Sequence, residues 1–183
     1  ILYGNRASGI SIFTENAAGP SVDNTLVNNT VIQPTDSRWA VNIANGATGT
    51  VIFNNLLFHA PAFQGVITVQ ADATTGLVSD YNLVNGRFTL DGDATILDLD
   101  GWRAAGHGEH SVLFTGLAAA MVDADRITQA GSPAIDLGVS ELRGRPAPDR
   151  DHRGLGRPAG AAWDAGAIEV GADPVAREGE GEG

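Results

Sequence analysis

The sequence predicts an all-β chain, wound as a right-handed parallel β-helix and closed by an irregular C-terminal cap. Short segments rich in β-branched residues recur every 26 residues in the first half of the chain, and Gly, Asn and Asp turns separate them. Strands joined as hairpins reverse direction, so equivalent side chains would not return to one column after each period. A coil that advances about 4.8 Å per period does return them, and parallel crossovers are almost always right-handed.

Two types of segment alternate along this repeat. The first type begins at residues 26, 52 and 78, and each copy runs for seven residues. The second type lies between these copies, at 9–13, 40–44 and 66–70, with offsets of 31 and 26. The five surplus residues of the longer offset belong in a loop, either within 14–24 or within 33–38.

A column of polar side chains is expected at the bend of the first segment type. Asn28, Asn54 and Asp80 occupy the same position in the three copies. A residue at such a bend must tolerate the left-handed backbone region, and stacked Asn side chains bond to one another along a coil axis. Leucine-rich repeats have similar periods, but Leu is not the periodic residue here and no segment between the copies resembles a helix.

Composition excludes several classes of protein. The net charge of −11 repels nucleic-acid phosphate, and the chain has no basic stripe with interleaved aromatic residues. The absence of Cys rules out disulfides and zinc–thiolate sites. No apolar stretch reaches the roughly 18 residues of a membrane span. The first residues resemble neither an initiator Met nor a signal peptide, so we expect an internal fragment. We also expect a monomer.

Charge and amide content divide the chain into three parts. Residues 1–90 are assigned to the β-helix coils, and 91–170 to the final coil and the capping segment. The last part, 171–183, is an acidic Gly/Glu linker, because it ends in alternating Glu and Gly and has no apolar side chain after Ala176.

Two features of the capping segment follow from its residues. A short helix is predicted over 102–105, capped by Asp98 or Asp100, and such a helix can cover the open end of a solenoid. Asp136 and Asp164 each lie two residues before a Gly, so they are expected to bind the amides of tight turns rather than a metal.

Motifs from Val78 onward resemble a known family. They are, in order, Ser79-Asp80-Tyr81-Asn82-Leu83, Leu99-Asp100-Gly101-Trp102-Arg103-Ala104-Ala105-Gly106, Glu109-His110-Ser111-Val112, Ala130-Gly131-Ser132-Pro133-Ala134-Ile135-Asp136-Leu137-Gly138, Arg157-Pro158 and Asp164-Ala165-Gly166-Ala167-Ile168-Glu169. This order is similar to the C-terminal end of bacterial right-handed parallel β-helix proteins of the pectate-lyase-like superfamily. The Gly-Ser-Pro-Ala-Ile-Asp signature resembles that of the choice-of-anchor Q type, in which a surface anchor follows it.

The resemblance implies an exported bacterial protein, either secreted or held at the cell surface. Members of the superfamily include polysaccharide lyases and hydrolases, together with surface proteins of unknown role. We therefore expect the C-terminal portion of a β-helix protein that contacts polysaccharide, with any catalytic residues of a lyase or glycoside hydrolase on coils upstream. The alternative is a non-enzymatic surface or adhesion module.

The outer face of the second segment type is where β-helix enzymes usually carry catalysis. Strand alternation points Ser11, Asn42 and Thr68 outward. It points the residues on either side of them inward, namely Ile10, Ile12, Val41, Ile43, Ile67 and Val69. The outward row is neutral, so it supplies neither an acid/base pair nor two convergent carboxylates, and no catalytic residue is assigned.

Loop residues at the same edge suggest a sugar groove. Arg38 and Trp39 lead into one outward strand, and His59 precedes the next. An aromatic ring, an Arg and a His beside the polar groups of Asn42 and Thr68 suit the recognition of a sugar. The predicted substrate contacts are therefore Arg38, Trp39, Asn42, His59 and Thr68.

Calcium is the one cofactor that the sequence raises. The acidic loops 91–93 and 98–100 offer hard oxygen ligands but lack the spacing of an EF-hand. His107 and His110 lie three residues apart, yet the glycines around them provide no rigid helix to hold a metal. Solvated loops explain these features better, so no metal ligand is assigned.

Overall fold

The computed structural model describes residues 1–15, 19 and 21–171. The acidic linker predicted for 171–183 thus lies outside the described residues beyond its first position. The strands are β1 (Leu2–Tyr3), β2 (Ser8–Ile12), β3 (Thr25–Val27), β4 (Thr30–Gln33), β5 (Trp39–Ile43), β6 (Val51–Phe53), β7 (Leu56–His59), β8 (Ile67–Val69), β9 (Val78–Asp80), β10 (Leu83–Val84), β11 (Phe88–Thr89), β12 (Val112–Leu113), β13 (Glu141–Leu142) and β14 (Arg145–Pro146). The helical elements are α1 (Leu99–Ala104) and two 3-10 turns, Ala71–Ala73 and Leu117–Ala120. Among the described residues no helix has the length and apolarity to cross a bilayer.

Three parallel sheets form the walls of a β-solenoid of about four turns. Sheet A contains β1, β4, β7, β10 and β12, sheet B contains β2, β5, β8 and β11, and sheet C contains β3, β6 and β9. Neighbouring strands run parallel in all three sheets, and an antiparallel hairpin, β13–β14, lies in the cap. The predicted all-β parallel β-helix is thereby confirmed.

The register of the coils follows the 26-residue period once and then shifts by one residue. Leu26 pairs with Ile52 as predicted, but Ile52 pairs with Ser79 rather than with Val78. The additional residue lies between β8 and β9, a connection that contains the turn Ala71–Ala73 and is one residue longer than that between β5 and β6. The offsets of 31 and 26 predicted for sheet B are both confirmed, and the five surplus residues lie between β2 and β3.

Side chains that point inward from the three sheets fill the solenoid. The main apolar cluster or its margin includes all six residues predicted to point inward from sheet B, namely Ile10, Ile12, Val41, Ile43, Ile67 and Val69. Leu26 and Ile52 enter the cluster from sheet C, and Val31, Leu57 and Val84 enter it from sheet A. Each fully buried aliphatic side chain stabilises the fold by about 1.5–3 kcal/mol relative to exposure.

A ladder of Asn side chains runs along the inside of the bend between sheets C and A. Nδ2 of Asn29 donates to Oδ1 of Asn55 at 3.1 Å, and Nδ2 of Asn55 donates to Oδ1 of Asn82 at 2.9 Å. Asn55 is only 1% exposed, and its Nδ2 also donates to the carbonyls of Leu26 and Phe53 at 2.9 and 2.8 Å. The ladder therefore satisfies backbone groups that the bend leaves unpaired and ties each coil to the next.

The predicted column of Asn28, Asn54 and Asp80 stands one residue before this ladder, and the structure keeps only its first two members together. Both Asn residues have positive φ, +52° and +54°, and Nδ2 of Asn54 lies 3.4 Å from Oδ1 of Asn28. The shift in register places Asp80 opposite Phe53. Tyr81, with φ +54°, takes the third corner position, so Asp80 is not a member of the column.

Helix α1 closes the downstream end of the core. Asp98 is its N-cap, as one of the two predicted candidates, because Oδ1 of Asp98 accepts a hydrogen bond from the Gly101 amide at 2.8 Å. Trp102 is 1% exposed and stacks on Phe88, with ring centroids 4.8 Å apart. Leu97 pairs with Phe88 in an antiparallel bridge, which covers the free edge of β11.

The rest of the capping segment lies along the side of the solenoid rather than across its end. Alternation in sheet A points Leu57 and Val84 inward and their neighbours Leu56 and Leu83 outward. The outward pair packs with residues of the cap in a second apolar cluster, which contains Leu56, Leu83, Phe114, Ala120, Ala134 and Ala165. The cap therefore converts the outer face of sheet A into an interior.

Asn28 and Asn54 hold the cap against the flank of the solenoid. Nδ2 of Asn28 donates to the carbonyl of Asp164 at 2.8 Å. Nδ2 of Asn54 donates to the carbonyl of Val139 at 2.7 Å, and its Oδ1 accepts from the Val139 amide at 2.9 Å. Next to them, the Ala167 amide donates to Oγ1 of Thr30 at 2.9 Å. The outward Asn of each Asn-Asn pair thus docks the cap, while the second Asn builds the ladder.

Two aspartates organise the turns of the cap, as predicted. Oδ1 of Asp136 accepts from the Ala162 amide at 2.8 Å. Oδ1 of Asp164 accepts from the Asp136 amide at 2.9 Å, and its Oδ2 accepts from the Val170 amide at 2.7 Å. Both carboxylates therefore bind turn amides.

A buried ion pair lies at the centre of this segment. Nη1 of Arg157 is 2.8 Å from Oε2 of Glu169, with the two side chains 1% and 0% exposed. Arg157 also donates to the carbonyls of Asp164 and Gly166 at 3.1 and 2.8 Å, and Oε1 of Glu169 accepts from the Ala159 amide at 2.9 Å. Burial raises the pKa of the Glu169 carboxyl, so its charge depends on Arg157 and on the Ala159 amide.

The Asn ladder predicts that a substitution at Asn55 strongly lowers the free energy of unfolding. Asn55→Ala leaves buried carbonyl and amide groups without partners, so we expect it to lower the free energy of unfolding by at least about 2 kcal/mol. The matched control is Asn5→Ala, an exposed Asn, which should change stability by less than about 0.5 kcal/mol. Urea unfolding followed by circular dichroism measures both. Equal losses for the two variants would contradict the structural role of the ladder.

The buried ion pair predicts that replacing Arg157 alone lowers the free energy of unfolding more than replacing Arg157 and Glu169 together. Arg157→Met leaves the Glu169 carboxylate buried without a cation, and we expect a loss of about 3–5 kcal/mol in the free energy of unfolding. Adding Glu169→Gln should recover part of this loss, because the uncompensated charge disappears. The control Arg6→Met breaks an exposed pair with Asp36 and should cost less than about 1 kcal/mol. No recovery in the double variant would count against the ion pair as the cause.

Candidate functional site

The outer face of sheet B carries the neutral row that the sequence predicted. Ser11, Asn42 and Thr68 are neighbours in the register of the sheet, and Thr89 follows them on β11. Ser11 is exposed and Asn42 is half-buried, whereas Thr68 is only 2% exposed. Another part of the chain therefore covers Thr68.

Asp93 covers Thr68 and brings a carboxylate to this face. Oγ1 of Thr68 donates to Oδ1 of Asp93 at 3.0 Å, and Nε1 of Trp39 donates to Oδ2 at 3.4 Å. The Asp93 amide donates to Oγ1 of Thr89 at 3.2 Å, which fixes the loop above the sheet. Sequence reasoning missed this contact because it treated 91–93 only as a calcium candidate. The sequence did contain one indication of this contact, because the acidic turn comes directly after β11, a strand of the same sheet.

Trp39 is held at its N–H by Asp93 and on one face by Arg38. Cζ of Arg38 lies 5.8 Å from the centroid of the Trp39 ring system, a cation–π contact worth about 0.5–1 kcal/mol at an exposed site. Arg38 is exposed and Trp39 is half-buried. The pair thus presents an aromatic surface and a cation at the rim of the face.

His59 lies behind this surface rather than on it. It is 3% exposed, and its Nε2 is 2.6 Å from the carbonyl oxygen of Arg38. Its backbone amide donates to Oδ1 of Asn85 at 2.9 Å. Desolvation by burial lowers the pKa of His59, so the ring is neutral at pH 7 and supports the loop that carries Arg38.

The five residues Arg38, Trp39, Asn42, Thr68 and Asp93 lie together on one face, which we call the Trp39 patch. Four of them were predicted as substrate contacts. Arg38, Trp39 and Asn42 reach solvent, whereas Thr68 lies beneath Asp93, and the fifth prediction, His59, is buried behind the face. The patch combines an aromatic ring with an amide that both donates and accepts hydrogen bonds and a carboxylate that accepts them. It holds a single carboxylate, whereas glycoside hydrolysis by paired acids needs two.

The two histidines weighed as a metal pair have separate roles. His107 packs on Trp102, with ring centroids 4.6 Å apart. Nδ1 of His110 is 2.7 Å from Oδ2 of Asp80, and its ring lies parallel to that of Tyr81 at 4.5 Å. Each ring is therefore engaged in a different contact of the downstream end.

The acidic loops weighed as calcium ligands are engaged with the chain itself. Oδ1 of Asp91 accepts from the Thr95 amide at 2.9 Å, and Asp98 caps α1. Asp100 pairs with Arg103 at 3.2 Å. Within 1–15, 19 and 21–171, no group of three or more His, Asp or Glu side chains is arranged to hold a metal ion.

The contact between His110 and Asp80 predicts a pH dependence. The hydrogen bond to Asp80 raises the pKa of His110 above its ordinary value, whereas burial lowers the pKa of His107. The stabilisation by Asp80 is therefore full below about pH 6.5 and is lost as pH rises through the higher folded-state pKa. NMR titration of the imidazole signals should show that His110 loses its proton at a higher pH than His107.

Asp80→Asn is the variant that tests this cause. Its Oδ1 can still accept the two backbone amides, of Tyr81 and His110, that Asp80 binds, but the charge is gone. We expect the pKa of His110 to fall and the stability difference from the wild type to disappear at high pH. The control Glu109→Gln removes a neighbouring exposed charge and should shift the pKa of His110 less. A His110 pKa unchanged in Asp80→Asn would refute the assignment.

No protein-family model matches this chain, and no curated protein and no solved structure matches it. The structure shows a parallel β-solenoid of about four turns with a polar and aromatic surface on sheet B.

Proposed function

We propose that this chain is a polysaccharide-contacting part of an exported bacterial β-helix protein, and that the Trp39 patch is the contact surface. The observation that carries the proposal is the half-exposed Trp39 ring, whose N–H and one face are fixed by Asp93 and Arg38. A ring fixed in this way loses little side-chain freedom on binding, which favours affinity.

The chemistry of the patch suits a sugar chain. The apolar face of a sugar ring packs on an aromatic side chain, while its hydroxyls need partners that both donate and accept hydrogen bonds. Asn42 lies between Ser11 and Thr68 in the register of sheet B, where Asp93 covers Thr68, and successive strands of a sheet stand about 4.8 Å apart. A row with this spacing, on the side of a solenoid, suits an extended polymer.

The similarity of the closing motifs to pectate-lyase-like proteins of the choice-of-anchor Q type supports the same proposal. It favours a secreted or cell-surface location. Because the patch offers one engaged carboxylate, we assign no catalytic residue to this chain. Any lyase or hydrolase chemistry of the parent protein is assigned to coils upstream.

A non-enzymatic surface module is the second candidate. The interior Asn ladder and the buried ion pair of the cap favour it, because they make a rigid element from short coils. In that case the solenoid serves as a spacer, and its outer face binds no glycan.

Affinity electrophoresis separates the two candidates. The wild-type chain is run through gels that contain a panel of neutral and acidic polysaccharides. We expect retardation by at least one of them, and Trp39→Ala should weaken that binding about tenfold, which is the loss of about 1.4 kcal/mol.

Trp163→Ala is the matched control for this experiment. Trp163 is a half-buried residue of the cap, where its Nε1 donates to the Pro148 carbonyl at 3.2 Å. Its loss should leave retardation unchanged. If no polysaccharide retards the wild-type chain, the contact proposal fails and the surface module is favoured. Equal losses for both Trp variants would show that the patch is not the contact.

A further inference from the structure

We propose that the Trp39 patch selects uncharged polysaccharides over polyuronates, and that Asp93 is the residue that discriminates. This inference rests on the proposed function, because it names the class of glycan that the same surface binds. The observation behind it is a carboxylate fixed at the centre of the patch by donors on two neighbouring strands.

Asp93 is held in place by its own loop. Its two carboxylate oxygens accept from Thr68 at 3.0 Å and from Trp39 at 3.4 Å, and its amide donates to Thr89 at 3.2 Å. Asp91 accepts from the Thr95 amide at 2.9 Å, which ties the same loop on its other side. These contacts hold the carboxylate on the face.

Two donors of the patch already serve Asp93 and are not free for an incoming uronate. The hydroxyl of Thr68 is directed at Oδ1 and the indole N–H of Trp39 at Oδ2. The carboxylate of a uronate would find these donors already bonded to Asp93. It would also lie next to the negative charge of Asp93, and like charges in contact disfavour binding.

The cations around the patch do not reverse this preference. Arg87 directs its Nε at the carbonyl of Gln64, and His59 is neutral because burial lowers its pKa. Arg38 is the cation of the patch, and it lies at the rim over the Trp39 ring. The net charge of −11 adds repulsion of a polyanion at longer range, which salt screens.

For a neutral sugar the same carboxylate is favourable. Hydroxyl groups that donate to a carboxylate form shorter and stronger bonds than those to a neutral acceptor. Asn42 adds a donor and an acceptor on the adjoining strand. Asp93 therefore gains a partner from a hydroxylated ligand and repels an acidic one.

The test compares matched polymers on three proteins. Binding of laminarin, xylan and glucomannan is compared with that of polygalacturonate and alginate by affinity electrophoresis at low and at moderate salt. We expect the wild type to bind at least one neutral polymer more than tenfold tighter than either polyuronate. Salt should strengthen polyuronate binding, because it screens the repulsion, and should leave neutral binding nearly unchanged.

Asp93→Asn keeps the shape of the side chain and removes its charge. We expect it to reduce the ratio of neutral to polyuronate affinity at least fivefold. Asp72→Asn makes the same change in net charge at an exposed position of another turn and should leave the ratio within twofold of the wild type. Circular dichroism and urea unfolding check that both variants are folded, and the salt series on the wild type tests the repulsion without any variant.

The outcomes separate this inference from the proposed function. If polyuronates bind as tightly as neutral polymers or tighter, the selectivity is overturned while the contact function stands. If Asp93→Asn and Asp72→Asn alter the ratio equally, Asp93 is not the discriminating residue. If no polymer binds, the proposed function fails and the inference fails with it.

Discussion

The hydrogen bonds of Asn55 are the contact on which the other features of the solenoid depend. One buried amide joins three successive coils, because it accepts from Asn29 and donates to Asn82 while it also binds carbonyls of its own and the preceding coil. Parallel strands of two to five residues have few ladder bonds of their own, so they are free to slip. A slip of one residue would exchange inner and outer faces. By fixing the register, the ladder also fixes which side chains stand together on the outside of sheet B.

Sheet A has two apolar faces, and the cap covers the outer one. Leu56 and Leu83 point away from the solenoid and would lie in water without the segment that follows Phe114. The cap is a loop-rich segment with one short hairpin, so it needs polar fixation as well as burial. Asn28 and Asn54 supply this at the corner, and the Arg157–Glu169 pair supplies it within the segment. Because a buried pair is expensive to break and not especially favourable to form, its main effect is to define one arrangement.

Periodicity in the sequence was enough to predict the coils, the inward residues of sheet B and the outward row, since side-chain direction in a strand depends only on position. The shift by one residue at Ser79 was invisible, because Val78 and Leu83 continue the apolar pattern at either spacing. For the same reason Asp80 was placed in a column to which it does not belong. Burial of His59 and the reach of Asp93 back to Trp39 depend on how loops fold over a sheet, and local pattern carries no information about that. Composition likewise could not show that the cap lies on the flank, because its alanines and glycines fit either place.

The docking of the cap at Thr30 and Asn28 also decides where the last part of the cap lies. Although Ala167 is 137 residues later in sequence than Thr30, the two are hydrogen-bonded, so this part of the cap lies beside an early coil and not at the far tip. A load applied to the cap at Ala167 would pull on the solenoid from its side. Under load the force would then cross the coils instead of running along their axis, and the corner amides would bear it before any strand pairing did.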